Sequence, residues 1–216
     1  MKAWNESWKT EEGRAHWLEP DPFIVSLIPK FEKEEVEKVL DLGFGIGRHT
    51  ILFAKKRFDV YGIDPSSSGL EFAMKWAQRE RIILKLITGD MSQLPFKNNF
   101  FDLIIAWNVI YHGTAEIIHN TINEIMKCLK IGGYLLCTLI STKHNKYGIG
   151  KEIEKDTFVI SEETEKSHPH HYFNKDEIAQ YLKEFAPIIC DDKEQFYPGL
   201  FHWYILTKLV SKSEGR

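Results

Sequence analysis

Val39-Leu-Asp-Leu-Gly-Phe-Gly-Ile-Gly47 runs from an apolar, strand-like stretch straight into three alternating glycines, and a helical pattern at Arg48–Lys56 follows. Glycines at such a junction let the chain turn sharply and let a ligand lie on backbone N–H groups at a helix N-terminus. A plain strand-to-helix turn rarely needs three of them. A carboxylate closes the next strand-like run: Asp64 stands 21 residues after Gly43, where it can accept hydrogen bonds from ribose hydroxyls.

Outward from this loop the chain alternates short β-rich runs with helical stretches, the rhythm of a parallel α/β sheet. The expected strands are Val36–Leu42, Phe58–Ile63, Leu84–Thr88, Phe101–Trp107 and Tyr134–Ile140. Continuous apolar runs such as Leu103–Trp107 suit strands covered on both faces. Asp21-Pro22 supplies a cap and a first-turn proline for a helix that Pro29 should end. Ser68-Gly-Leu-Glu71 fits a capping box for a helix through about Gln78. Thr114 opens a helix with Ile117, Ile118, Ile122, Ile125, Met126 and Leu129 on one face, with its end at Gly132. Asn174 with Glu177 opens another, turning Ile178, Tyr181, Leu182 and Phe185 inward.

Near the C-terminus the rhythm breaks. Ile188–Tyr197 and Leu200–Leu209 are both strand-like and are separated only by Pro198-Gly199, so they must pair antiparallel. Between the fifth strand and Asn174 lies a polar stretch, Ser141–Tyr172, longer than an ordinary loop. It reads as a lid, with room for short strands of its own.

The chain has 216 residues, 43% hydrophobic and 27% charged, which fits one globular domain needing no metal or disulfide staple. A net charge of −3 argues against a dedicated nucleic-acid binder. Cys128, Cys137 and Cys190 form no C-x-x-C pair, and the odd count fits buried, reduced thiols in the cytosol. The N-terminus has no apolar leader pattern, and no apolar run is long enough to span a membrane. A cytoplasmic protein is expected.

Dinucleotide sites want G-x-G-x-x-G, and here Arg48 stands where the third glycine would be, leaving G-x-G-x-G. That spacing favours S-adenosylmethionine, which has no pyrophosphate, over NAD. Together with Tyr61-Gly-Ile-Asp64, Gly89-Asp90-Met91, Leu94-Pro-Phe96, Phe101-Asp-Leu-Ile-Ile-Ala-Trp-Asn108 and Leu129-Lys-Ile-Gly-Gly133, the loop resembles the ordered motifs of class I S-adenosylmethionine-dependent methyltransferases. The nearest likeness is to the small-molecule branch, including ubiquinone-biosynthesis-like and tellurite-resistance-like enzymes. The resemblance covers about residues 36–141, and the terminal hairpin matches the family's antiparallel seventh strand. It implies a doubly wound α/β sheet of seven strands, order 3-2-1-4-5-7-6.

The resemblance also implies roles. Asp41 and the backbone of Gly43, Gly45 and Gly47 would hold the methionine end, and Asp64 the ribose diol, with Pro65 beside the adenine. Asp90 would accept from the adenine amino group, the Met91 backbone would meet the ring, and Asn108 would lie near the sulfonium. Two residues depart from the family pattern: Phe44 in the glycine loop, which can crowd the methionine end, and Ile131 for the usual proline, which affects only a turn. The implied reaction is methyl transfer to a small-molecule acceptor, leaving S-adenosylhomocysteine. Nicotinamide oxidation, nucleic-acid methylation and a non-catalytic adenosylmethionine-binding module are the rivals; Asn108-Val-Ile-Tyr111, lacking the Pro-Pro of amino-group nucleic-acid enzymes, speaks against the second.

The remaining signals are weaker. His112, four residues after Asn108, is a candidate general base; with Tyr111 it equally fits a pocket lining. His168-Pro-His170-His171 suggests a metal cluster. No second ligand set has recognisable spacing, however, and neighbours on an extended chain point opposite ways, so His170 and His171 are read as pocket or lid residues and no metal is expected. Trp4, Trp8, Arg14, His16 and Trp17 fit either a docked helix with aromatic anchors or a flap over the cofactor, with Trp8 and Arg14 as pocket candidates. The expected organisation is one domain, 1–216, with a cap (1–35), cofactor-binding core (36–141), lid (142–172) and C-terminal helix and hairpin (173–210).

Overall fold

A computed structural model describes residues 2–160 and 168–212. In chain order come α1 (Lys2–Ser7), α2 (Glu11–Arg14), a 3-10 turn (Ala15–Trp17), α3 (Pro22–Lys33), β1 (Lys38–Leu42), α4 (Arg48–Lys55), β2 (Asp59–Asp64), α5 (Ser67–Glu80) and β3 (Lys85–Thr88). Then follow β4 (Phe101–Ala106), α6 (Ala115–Cys128), β5 (Leu129–Ile140), β6 (Lys151–Glu154), β7 (Thr157–Val159), β8 (His170–His171), α7 (Lys175–Tyr181), β9 (Phe185–Glu194) and β10 (Phe201–Leu209). Seven strands form a sheet in the order β3-β2-β1-β4-β5-β10-β9, with β10 antiparallel to both its neighbours. With β9 and β10 as sixth and seventh strands, this is the order 3-2-1-4-5-7-6. Among the described residues no helix is long and apolar enough to cross a membrane. The chain divides into two compact units, residues 1–91 with 101–105, and residues 92–100 with 106–216.

In the first unit β1 pairs in parallel with β2 on one side and β4 on the other. Val39, Leu40, Leu103, Ile104 and Ile105 are all fully buried, without the alternation of a half-exposed strand, so both faces are covered. Helix α3 starts as expected, with Asp21 Oδ1 accepting from Phe23 N. It passes through Pro29 instead of ending there. Phe31, two residues further, is fully buried; burying such a ring gains about 1.5–3 kcal/mol, which offsets much of the ~3 kcal/mol cost of an interior proline. The carbonyl left over by Pro29 belongs to exposed Val25, within reach of water.

The cap of α5 also differs. It is Ser66, whose Oγ accepts from Gly69 N, and not Ser68. The N–H of Ser68 instead donates to Asn5 Oδ1, which also accepts from the hydroxyls of Ser66 and Ser67. A residue about sixty positions away thus takes the donor that a local capping box would have used.

In the second unit α6 begins at the expected Thr114 cap but ends at Cys128, and β5 starts directly at Leu129. No glycine ends this helix. Its last carbonyls accept from Asn99 N, Phe100 N and Lys212 Nζ, so neither Gly132 nor a turn is needed, and Ile131 lies inside β5. Ile118, Ile122 and Ile125 form the buried face, whereas Ile117 is exposed. Asn174 caps α7 as expected.

The terminal hairpin is shifted toward the N-terminus. β9 ends at Glu194, leaving Gln195–Leu200 as the connection, because Phe185 is buried opposite Leu209 while Phe196 and Tyr197 are exposed. A bulge leaves Ile188 without a register partner beside Pro187, the kind of irregularity that edge strands tolerate. The polar insertion does carry strands: β6, β7 and β8 form a small antiparallel sheet. Residues 161–167 of the expected lid lie outside the described residues. Cys128 and Cys137 are buried free thiols, while Cys190 is only half-buried.

Candidate functional site

The glycine loop lies in the first unit between β1 and α4. Gly43, Gly45 and Gly47 have φ of 71°, 57° and 92°, a left-handed conformation that side chains oppose, which explains why all three positions are glycine. Gly43 N donates to Ile63 O at 2.7 Å, fastening the start of the loop to β2.

Asp64 locks the loop from the end of β2. One of its carboxylate oxygens accepts from Gly45 N and the other from Ser66 N, both at 2.8 Å. Burial raises its pKa, against the pull of those two N–H groups. A carboxylate offers about four lone pairs, so each oxygen retains capacity for one further donor. That capacity is enough for two further hydroxyl donors. Pro65 beside it is exposed, and Asp90 and Met91 are half-buried just beyond β3, joined to this corner by the bond from Gly89 N to Asp64 O.

Asp41 is buried on β1 and accepts from the Thr50 hydroxyl at 2.6 Å, tying strand to helix across the loop. Desolvation raises its pKa to about 6; the Thr50 hydrogen bond opposes this and nearby Asp64 adds to it. The native state therefore holds a proton that the unfolded chain, near 3.8, has already shed. Stability falls as pH rises through that window, by up to about 3 kcal/mol at 1.36 kcal/mol per unit. His49, whose pKa burial lowers, acts in the opposite sense. The readout is thus a difference: urea unfolding from pH 4 to 7 should show Asp41→Asn lacking this decline relative to the parent. Parallel curves for the two proteins would refute the assignment.

Phe44 packs against β2. It is buried, and a Cβ at Gly62 would fall 2.8 Å from its ring, so it fills the space left by that glycine on β2. The N-terminal aromatics form a docked cap. Trp8 is buried and stacks on Trp4 with ring centroids 5.0 Å apart, and Trp17 meets it edge-on at 5.9 Å. Its indole lies 3.4 Å from where a Cβ on Gly45 would sit. Arg14 donates to Trp8 O and lies over the Phe72 ring. Sequence reasoning missed Asn5 and Ser66, which join this cap to the α5 N-terminus. Only the serine run carried any signal.

The other candidates lie in the second unit. Asn108 has φ +60°, and its Oδ1 accepts from Thr138 Oγ1 while its N–H donates to the same oxygen. Thr138, on β5, was not foreseen. The ring of His112 lies 4.4 Å from that of buried Tyr111. Its Nε2 is 3.1 Å from Asn108 O and its Nδ1 2.8 Å from His168 Nε2. His170 joins this group, whereas His171 is turned away and held between Thr157 Oγ1 and Glu177 Oε1. The opposed directions of His170 and His171 are as expected. The arrival of His112 beside His168 and His170 is not.

Residues 39–133 match the family model described as a methyltransferase domain. Over 105 residues the chain is 33% identical to a sterol 24-C-methyltransferase of Aspergillus fumigatus, an alignment covering 46% of this chain and 27% of that protein. Against the curated relatives it matches, the chain spans about half their length or less. Among solved structures, an S-adenosylmethionine-dependent methyltransferase from Methanosarcina mazei superposes with TM-score 0.75 at 20% identity, covering 90% of this chain and all of that one. The Burkholderia thailandensis 1,6-didemethyltoxoflavin-N1-methyltransferase, solved with bound 1,6-didemethyltoxoflavin and S-adenosylhomocysteine, gives 0.70 at 15% identity over 97% of this chain and 88% of that one. At such identities these likenesses establish the fold.

Proposed function

We propose that this chain, whose residues 39–133 match a methyltransferase domain model, transfers a methyl group from S-adenosylmethionine to a small-molecule acceptor by in-line displacement. The observation that carries the reading is Asp64, a buried carboxylate clamped by Gly45 N and Ser66 N with acceptor capacity to spare. A G-x-G-x-G loop with a diol-binding carboxylate one strand away fits an adenosyl group without a pyrophosphate.

When bound, S-adenosylmethionine supplies a methyl already activated by its sulfonium. The chain's own work is then to bind, align and exclude water. Asp64 accepts from the ribose hydroxyls. The Gly43–Gly47 loop, which carries no side chain at three of its five positions, takes the methionine end, and Asp41 keeps that loop in register through Thr50. Asp90 and the Met91 backbone take the adenine edge, with Pro65 beside it. The buried Trp8 cap, standing on Gly45, shields the loop from solvent. Asn108, held by Thr138, lies at the mouth of the fourth strand.

A small acceptor is supported by the substrates named for the sterol and toxoflavin enzymes, and by a net charge of −3, which disfavours nucleic acid. Calorimetry on the full chain should show S-adenosylmethionine and S-adenosylhomocysteine binding at one site, with no NAD binding. Incubation with a panel of small hydroxy, amino and thiol acceptors should release S-adenosylhomocysteine. Tight NAD binding without adenosylmethionine binding would overturn the cofactor assignment. Cofactor binding without turnover on any acceptor would leave a binding module, not an enzyme.

A further inference from the structure

We propose that His112, His168 and His170 form a binding site for a divalent transition-metal ion of the zinc type. One ring nitrogen from each lies within 4.8 Å of the other two. Ring centroids are 4.9 Å apart for His112 and His168, 4.7 Å for His112 and His170, and 4.4 Å for His168 and His170. The site stands on these three residues alone and is independent of the methyl-transfer reading.

Local chemistry explains how the chain builds it. His168 and His170 flank Pro169, and His170 Nδ1 lies 2.9 Å from His168 O, an arrangement that brings the two rings together with centroids 4.4 Å apart. His112, reached across 56 residues, supplies the third imidazole.

The hydrogen bonds set the tautomers. His112 Nε2 is 3.1 Å from Asn108 O, and a carbonyl can only accept, so in the neutral ring the proton is on Nε2 and Nδ1 carries a lone pair. His170 Nδ1 is 2.9 Å from His168 O, which by the same reasoning leaves the lone pair on Nε2. Metal-ligating histidines are typically held in this way, with the second ring nitrogen donating to a backbone carbonyl. The His112–His168 contact of 2.8 Å needs one proton between two nitrogens. When an ion enters, His168 changes to the tautomer protonated at Nδ1, and no net proton is lost.

Tetrahedral zinc with Zn–N near 2.0–2.1 Å holds its nitrogens about 3.4 Å apart. The nitrogens here span 2.8 Å at the His112–His168 contact and no more than 4.8 Å overall, so side-chain shifts on the order of 1 Å would complete the geometry. Three neutral imidazoles favour zinc, cobalt or nickel over calcium or magnesium, which want oxygen. A fourth position would be left for water or for an incoming hydroxyl or thiol, whose proton the ion would make more acidic. In this arrangement His112 is a ligand and not a general base.

The test uses the untagged full chain, stripped of metal by chelator and dialysis. Titration with zinc chloride in a calorimeter should show one site per chain, and cobalt chloride should give the visible absorption of a tetrahedral nitrogen-bound ion. Each of His112→Ala, His168→Ala and His170→Ala should weaken zinc binding by at least about 100-fold, beyond the 10- to 100-fold typical of losing an outer partner. The exposed His119→Ala should change nothing. If the buried His170→Ala chain fails to fold, His168→Ala, on a half-exposed bend, carries the test. Absence of stoichiometric zinc binding, or binding that survives His168→Ala, overturns the proposal.

Discussion

Asp64→Ala is expected to weaken S-adenosylmethionine binding by roughly 10- to 150-fold. A hydrogen bond to a charged acceptor is worth about 1.5–3 kcal/mol, and ~1.4 kcal/mol is a decade of affinity. From sequence alone the carboxylate looks dispensable for folding, a strand-end group facing a cleft. The structure changes that expectation. Asp64 is only 6% exposed, and its loss strands the N–H groups of Gly45 and Ser66. Each buried donor left unmade costs about 1–3 kcal/mol, while removing a carboxylate whose burial is itself unfavourable returns part of it. The melting temperature should therefore drop together with the affinity, and calorimetry must be run well below it. Asp64→Asn keeps one acceptor oxygen and should fall between parent and Ala in both measurements. An Asp64→Ala protein that binds the cofactor as the parent does would refute the ribose contact.

Gly69→Ala is expected to destabilise the protein and to impair cofactor binding, although helix propensity predicts the reverse. In an open helix the change should gain about 0.5–1 kcal/mol. Here a Cβ would fall 2.4 Å from Gly45 O, 3.1 Å from Gly45 C and 3.2 Å from the Trp8 ring. Two of these atoms are backbone of the glycine loop and cannot rotate away. Either α5 or the loop must move, and overpacking of this kind costs typically about 1–3 kcal/mol. Since Gly45 N is also the Asp64 donor, a displaced loop should weaken adenosylmethionine binding at least tenfold, roughly the effect of one such bond. Thermal melts and calorimetry check both. A Gly69→Ala chain as stable as its parent would mean that the contact between helix and loop is slack.

Caps made by neighbours were legible: Asp21, Thr114 and Asn174 each bind an N–H within three positions, as expected. Ends completed from afar were not. Ser66 displaced Ser68 because Asn5 reaches the helix start, and α6 ends without its glycine because Lys212 and the 99–100 backbone take its carbonyls. Pro29 looked like a terminator because local cost is visible in sequence and the burial of Phe31 is not.

The sequence by itself determined the alternation of strand and helix, the antiparallel end of the sheet, the three left-handed glycines, and Asp64 one strand away. Each of these depends on backbone conformation or periodicity over a few residues, which side-chain identity controls directly. Only the tertiary structure decided that Trp8 stands on Gly45, that Thr138 holds Asn108, and that His112 completes a group of three imidazoles. Those contacts join segments 30 to 56 residues apart, and the chain folds them together because sheet order and core burial fix where each strand end emerges, information that no local pattern carries.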